Sequence, residues 1–192
     1  MTEMVPYRPD QILEVLERHE VLYVVIGGLA AELRGSPYVT RDVDVTPART
    51  RENFTKLANA LRELDAKLRI PDREEPLAIP LDGRSFEQGT TWTFVTKYGY
   101  LDIALLPDGT RGYEDLRRSA TREQLTDTVT ILVAALADVI RSKEAAGREK
   151  DRAVLPILRQ VLERSRKKDR DDRGMERSNS EVSKPGHGRH CG

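Results

Sequence analysis

The chain has a single cysteine, Cys191, so no internal disulfide can form, and the sequence fits a reducing cytoplasm. No apolar run approaches the roughly 18 residues a membrane span needs, so neither a transmembrane helix nor a membrane partner is expected. Met1 to Asp10 has no basic n-region and no apolar h-region, so no secretion signal is expected either. Net charge is also missing: Lys plus Arg is 32 and Asp plus Glu is 32. That balance excludes the strongly basic profile of a DNA-packing protein and the strongly acidic alternative. No internal repeat is visible. What is present suits one ordinary domain: 192 residues, 38% hydrophobic and 33% charged.

The zero balance hides a split. Residues 165–192 carry eight Lys/Arg against five Asp/Glu, with only Met175, Val182 and Cys191 apolar. Such a segment cannot bury enough surface to offset the entropy of ordering, so it is expected to be a disordered charged tail. His187, His190 and Cys191 are metal-ligand types, but a zinc site needs four ligands held by a fold, and they read as a floppy terminus. The remaining 1–164 reads as one domain with a helical C-terminal part over about 135–164.

Along that domain, Asp10 is expected to cap a helix with Ile12, Val15 and Leu16 on one face. Val21 to Ile26 is a short β-branched run that reads as a buried strand. It ends in Gly27-Gly28 and a helical stretch to Leu33. Asp42 to Thr46 alternates polar and apolar, a strand with one wet face. From Thr50, the spacing of Phe54, Leu57, Ala58, Leu61 and Leu64 predicts an amphipathic helix. Pro71 to Gly83 reads as a loop. Strands are expected over 90–96, 101–106 and 128–133, with a hairpin turn at Tyr98-Gly99 and a short helix near Tyr113. Helices over 136–146 and about 149–164 follow, with Pro156 inside the second. The order predicts a mixed α/β (α+β) domain: a β-sheet flanked by helices with a helical C-terminal end.

Chemistry concentrates in Val24 to Val45. A strand that ends in Gly-Gly and feeds a helix leaves backbone N–H groups open to a phosphate, because no Cβ blocks its approach. Asp42 and Asp44 are two residues apart on a strand and share a face, while Val43 and Val45 point the other way. Carboxylates so placed repel unless a cation lies between them, and hard oxygen ligands favour Mg²⁺ or Mn²⁺. Asp102 stands between Leu101 and Ile103 in an apolar strand, which is costly unless it is solvated, paired or metal-bound. Lys143 lies seven, four and three residues after Leu136, Val139 and Ile140, so it extends their inward face. Asp151 is spaced likewise before Val154, Leu155 and Leu158. Two readings stay open: the two pair with each other, or Lys143 meets an anionic ligand. Arg34, Arg41, Arg49 and Arg51 are either a solvated surface or RNA-phosphate contacts.

Together these residues resemble the nucleotidyltransferase fold of the DNA polymerase β superfamily. The closer likeness is to the AbiEii and MenT-type toxins of bacterial toxin–antitoxin systems, with Thr40-Arg41-Asp42-Val43-Asp44 matching their T-x-D-x-D motif. The resemblance spans about residues 8–164. It implies that Asp42, Asp44 and Asp102 hold metal, that Gly27, Gly28 and Thr40 flank the nucleotide, that Lys143 contacts the triphosphate, and that Asp151 supports the site. Gly27-Gly28 replaces the commoner Gly-Ser, which removes a serine expected at phosphate, and thirteen residues separate Gly28 from Asp42.

The implied reaction is Mg²⁺-dependent transfer of a nucleoside monophosphate from an NTP, CTP rather than UTP, to the 3′ end of tRNA, which would arrest growth by stopping aminoacylation. The implied partners are tRNA and a cognate antitoxin protein, one form of which modifies Thr40. Two alternatives remain: a transferase for an aminoglycoside-like small molecule, which shares the metal site, and a catalytically silent toxin–antitoxin binding module.

Overall fold

A computed structural model describes residues 5–182. Helix α1 (Pro9–Arg18) opens it, with Ile12, Leu13, Val15 and Leu16 buried. Asp10 is not its cap. Proline at the first helical position starts the helix before the aspartate, and Asp10 lies in the first turn, paired with Arg8 at 3.2 Å. Strands β1 (Tyr23–Val25) and β2 (Asp42–Pro47) pair antiparallel on either side of α2 (Gly27–Leu33). Helix α3 (Arg51–Glu63) starts where the Thr50 hydroxyl accepts the Asn53 N–H (3.2 Å), and it buries Phe54, Leu57, Ala58 and Leu61 as the spacing predicts. Asn53, 2% exposed, is fully used: its amide accepts from the Leu22 N–H (2.7 Å) and donates to the carbonyls of Leu22 and Ala48 (both 2.9 Å), tying α3 to the ends of β1 and β2.

The chain continues through β3 (Lys67–Leu68), β4 (Thr91–Thr96), β5 (Gly99–Ala104), α4 (Tyr113–Leu116), β6 (Thr121–Gln124), β7 (Thr130–Val133), α5 (Leu136–Ala146) and α6 (Glu149–Val182). The seven strands form one mixed sheet in the order β3-β4-β5-β2-β1-β7-β6. Its two short outer strands carry no apolar alternation: Thr121–Gln124 is polar on both faces, so periodicity passes over it. The β4–β5 hairpin turns on Lys97-Tyr98, one residue earlier than expected. The Thr96 hydroxyl closes that turn, accepting the Tyr98 N–H (3.1 Å) and donating to the Gly99 carbonyl (2.8 Å), which leaves Gly99 to begin β5.

One sheet face is core. Val43, Val45, Leu101, Ile103 and Phe94 are fully buried there, and α1 packs on β2, β5 and α3. In the loop before β4, Phe86 docks between Phe54 (ring centres 5.7 Å apart) and Trp92 (5.2 Å, edge-on). The opposite face carries the alternate residues of β2 and β5, with α2, α5 and α6 around it.

Helix α6 is longer than expected. The backbone of residues 165–182, read from composition as disordered, continues the helix. Its packing agrees with the composition, because every residue from Glu163 to Asp172 is exposed. Arg, Lys and Glu are good helix formers, and they extend a helix already nucleated against the core. Pro156, inside the helix, is exposed and does not end it. His187, His190 and Cys191 lie outside the described residues. No helix among the described residues is long and apolar enough to cross a membrane.

Candidate active site

Strands β2 and β5 run parallel in a register that sets Asp44 beside Asp102 and Asp42 beside Tyr100. Alternation then puts all three acids on the face opposite the buried valines. Asp102 Oδ1 is buried with no hydrogen-bond partner among the described residues. Burial, then the charges of Asp42 and Asp102, push the Asp44 carboxyl up from 3.8 to about 7; a Gly28 N–H and the Lys143 charge offset part of this. Burial raises Asp102 too, opposed by the Thr93 hydroxyl and by the charges of Lys150 and Arg69. The Thr40 hydroxyl donates to Asp42.

By charge and donor type these carboxylates fit a hard divalent cation. The orphaned oxygen of Asp102 and the strained ionisation of Asp44 are what a positive ion would relieve. No three acidic, histidine or cysteine side chains among the described residues form a ready-made metal cluster.

The Gly-Gly turn answers to crowding. Gly27 has φ 63°, and a Cβ on it would lie 2.1 Å from Asp44 Oδ2. A Cβ on Gly28 would lie 2.6 Å from the Thr40 hydroxyl. The sequence suggested N–H groups open to a phosphate; here the Gly28 N–H holds Asp44. Gly27→Ala is therefore expected to displace the Asp44 carboxylate. It should lower the unfolding free energy in urea melts by about 1–3 kcal/mol and weaken divalent-ion binding, measured by calorimetric titration.

Lys143, near the end of α5, and Asp151, in the first turn of α6, are brought together by Gly147, which ends α5 in the left-handed conformation. Lys143 Nζ lies 2.9 Å from Asp151 Oδ1, and Arg148 Nε 2.6 Å from Oδ2. Asp151 is 1% exposed. Burial works against its ionisation, but Lys143 and Arg148 together hold its pKa below the usual range. The structure shows the pairing of Lys143 with Asp151, and the same side chain lines a cleft together with Asp44 and Asp102.

That cleft has two lobes. One, about 370 Å³, lies between the Gly27-Gly28 turn, Tyr38 to Thr40, and the α6 residues Lys150, Val154 and Leu158. The other, about 270 Å³, lies between the end of β5, the loop at Asp108 and Thr110, and Asp138 and Ser142 of α5. Gly27, Asp44, Asp102, Lys143 and Arg148 line both. From sequence Arg148 reads as a charged residue beside a helix junction, normally solvated, although its spacing of three from Asp151 was the available signal. No sequence signal points to Asp138, Ser142 or Tyr38, which reach the cleft through tertiary packing.

The arginines near the motif are not in it. Arg34 braces the other end of the sheet, donating to the carbonyls of Ala134 (3.1 Å) and Val133 (2.8 Å) and pairing with Glu123 (2.5 Å). Arg51 is 3.9 Å from Glu87.

No protein-family model and no curated protein matches the chain. Solved structures do. The lincosamide antibiotic adenylyltransferase LnuA, in its lincomycin-bound form, superposes with a TM-score of 0.54 at 15% identity, over 80% of this chain and 95% of that one. The antibiotic-resistance factor ANT(2'')-Ia superposes with a TM-score of 0.50 at 12% identity, over 91% and 95%. The likeness is one of fold: a mixed sheet flanked by helices with a helical C-terminal region, the nucleotidyltransferase fold.

Proposed function

We propose that the protein is a metal-dependent nucleotidyltransferase that moves a nucleoside monophosphate from an NTP to an acceptor hydroxyl. The observation that carries this is the in-register pair of Asp44 and Asp102 across parallel β2 and β5, at the junction of two lobes. A two-substrate reaction needs such a junction. The larger lobe, with Lys143, Arg148 and Lys150 beside apolar Val154 and Leu158, suits a triphosphate and its base. The smaller lobe suits the acceptor.

Asp42, Asp44 and Asp102 would hold Mg²⁺ or Mn²⁺. When bound, the cation lowers the pKa of the acceptor hydroxyl and offsets charge at the α-phosphate. The residues themselves do the rest. Asp102 Oδ1, buried and without a hydrogen-bond partner among the described residues, is placed to accept the hydroxyl proton. Lys143, held by Asp151, presents a fixed cation to the leaving pyrophosphate, and Arg148 adds a second. Asp44, crowded by Gly27, keeps its carboxylate turned to the same junction.

For the acceptor, the reading is the 3′ end of tRNA with CTP as donor, in a growth-arresting toxin of the AbiEii/MenT type neutralised by an antitoxin protein. The likeness of the Thr40 to Asp44 motif supports it. Thr40 is the point at which such a partner would act by modification: its hydroxyl bonds Asp42, so a phosphate there would set about −1.5 to −2 charges against the carboxylates. A second reading is a small hydroxylated acceptor, favoured by the fold shared with LnuA, a protein solved with lincomycin bound.

One assay separates them. Each α-labelled NTP is offered with total tRNA and Mg²⁺ to wild type and Asp42→Ala. Label from CTP at tRNA 3′ ends, absent with a folded Asp42→Ala, is the expected result. Undiminished transfer by Asp42→Ala overturns the mechanism. No labelled tRNA with any triphosphate shifts the acceptor to a small molecule. Failure of Mg²⁺ and every NTP to raise the melting temperature leaves a silent binding module.

A further inference from the structure

The carboxylate face of the sheet does not stop at β5. Asp42 opposes Tyr100, Tyr100 opposes Val95, and Val95 opposes Lys67. In the neighbouring row Asp44 opposes Asp102, Asp102 opposes Thr93, and the Arg69 N–H donates to the Thr93 carbonyl (2.8 Å). Directly opposed residues share a face, so Lys67 and Tyr100 lie on the same surface as Asp42. From β2 to the β3 edge is three strand spacings, about 14 Å.

Along that edge runs a groove of about 720 Å³, lined by four exposed cations, Lys67, Arg69, Arg73 and Lys97, against two acids, Asp65 and Glu74. Lys67 is 3.6 Å from Asp65. Arg69, Arg73 and Lys97 make no ion pair among the described residues. Two of them lie on rings instead: Arg69 is 5.6 Å from the centre of Tyr100, and Lys97 is 5.1 Å from that of Tyr98. A row of cations around one ring, Tyr100, beside a carboxylate site has the chemistry of a single-stranded nucleic-acid track: charge for phosphates and a ring for a base.

We propose that this groove holds the backbone of a single-stranded RNA end and delivers its terminal hydroxyl to Asp102. The inference rests on the reading that the acceptor is RNA. Phosphates lie against Arg69, Arg73 and Lys97, and Tyr100 offers a face to a base. An acidic peptide would use the cations but gain nothing from the rings.

The test is fluorescence anisotropy of a labelled single-stranded RNA, without NTP, over a range of salt. It compares wild type with a variant carrying Arg69→Ala, Arg73→Ala and Lys97→Ala, and uses labelled polyglutamate as the second probe. All three residues are exposed, so the variant should melt as wild type does. RNA affinity is expected to fall at least tenfold, and the slope of log K against log salt to become shallower by about 2, from three contacts at about 0.7 each. Unaltered RNA affinity and slope, or polyglutamate bound as tightly as RNA, overturn the groove.

The two readings fail separately. If wild type transfers nucleotide to no RNA yet the variant loses RNA binding, the acceptor reading and the delivery of a hydroxyl to Asp102 both fail, and only the RNA contact in the groove stands. If the variant transfers nucleotide to RNA with an unchanged KM, the groove is wrong and the function stands.

Discussion

Asp44→Asn should make the metal-free protein more stable above neutral pH while removing the proposed nucleotidyl transfer. The Asp44 carboxyl is raised to about 7 by burial and by two neighbouring acids. In the unfolded chain it titrates near 3.8. Between those values the folded protein binds more protons than the unfolded one, so stability falls as pH rises from about 4 to about 7 and stays low above that. Asparagine removes the charge and keeps the shape. In EDTA at pH 8 the melting temperature of Asp44→Asn should exceed that of wild type by about 3–6 °C, and its fall between pH 5 and pH 8 should be shallower. Mg²⁺ should raise the melting temperature of wild type most at pH 8, where no proton has to be displaced, and should do little for the variant. Loss of one carboxylate at the reacting phosphate is expected to lower kcat/KM by about a thousandfold, near 4 kcal/mol at 1.36 per decade. A variant with the wild-type slope of melting temperature against pH would remove the electrostatic account of this site.

Opposite signs for stability and activity are informative because an ordinary structural aspartate gives the same sign for both. Here the instability comes from burying Asp44 beside two other acids, an arrangement that the proposed metal-dependent transfer would require.

The sequence made this face legible because period-two alternation is strict: Asp42, Val43, Asp44 and Val45 allow one assignment of wet and buried sides, and the structure has it. Long periodic elements were legible for the same reason, down to both ends of α5 at Leu136 and Ala146. Register was not. That Asp44 meets Asp102 depends on β2 and β5 pairing in parallel across more than fifty intervening residues, and no local pattern states which strands become neighbours. Edge strands were lost because strands wet on both faces have no periodic signal, and β3 is only two residues long. The cap on α1 was misplaced because Pro9 and Asp10 both mark helix starts, and proline at the first position prevailed. Gly27 and Gly28 stood out as a turn, yet their need for glycine lies in Asp44 and Thr40, seventeen and twelve residues further along the chain.

Lys143, Arg148 and Asp151 should behave asymmetrically, because only one of them is deeply buried. Asp151 is 1% exposed, Lys143 19% and Arg148 61% in their side chains. Removing the acid leaves a largely enclosed ammonium without a partner, so Asp151→Ala should lower the unfolding free energy by about 3 kcal/mol in urea melts at pH 7. Removing the exposed arm, Arg148→Ala, should cost less than about 1 kcal/mol, because solvent already screens it. The Asp151 pKa is depressed in the fold, so its contribution is fully present above the ordinary carboxylate value of 3.8 and is lost as pH falls below it. The difference in stability between wild type and Asp151→Ala should therefore be constant from pH 5 to pH 8 and shrink in more acid solution. That is the reverse of Asp44, whose destabilising effect grows between about pH 4 and pH 7 and persists above. Lys143→Met separates support from contact. It leaves Asp151 paired with Arg148, so the protein should remain folded; if Lys143 meets the triphosphate, KM for NTP should still rise and kcat fall. Unchanged kinetics in a folded Lys143→Met would reduce Lys143 to a brace between α5 and α6.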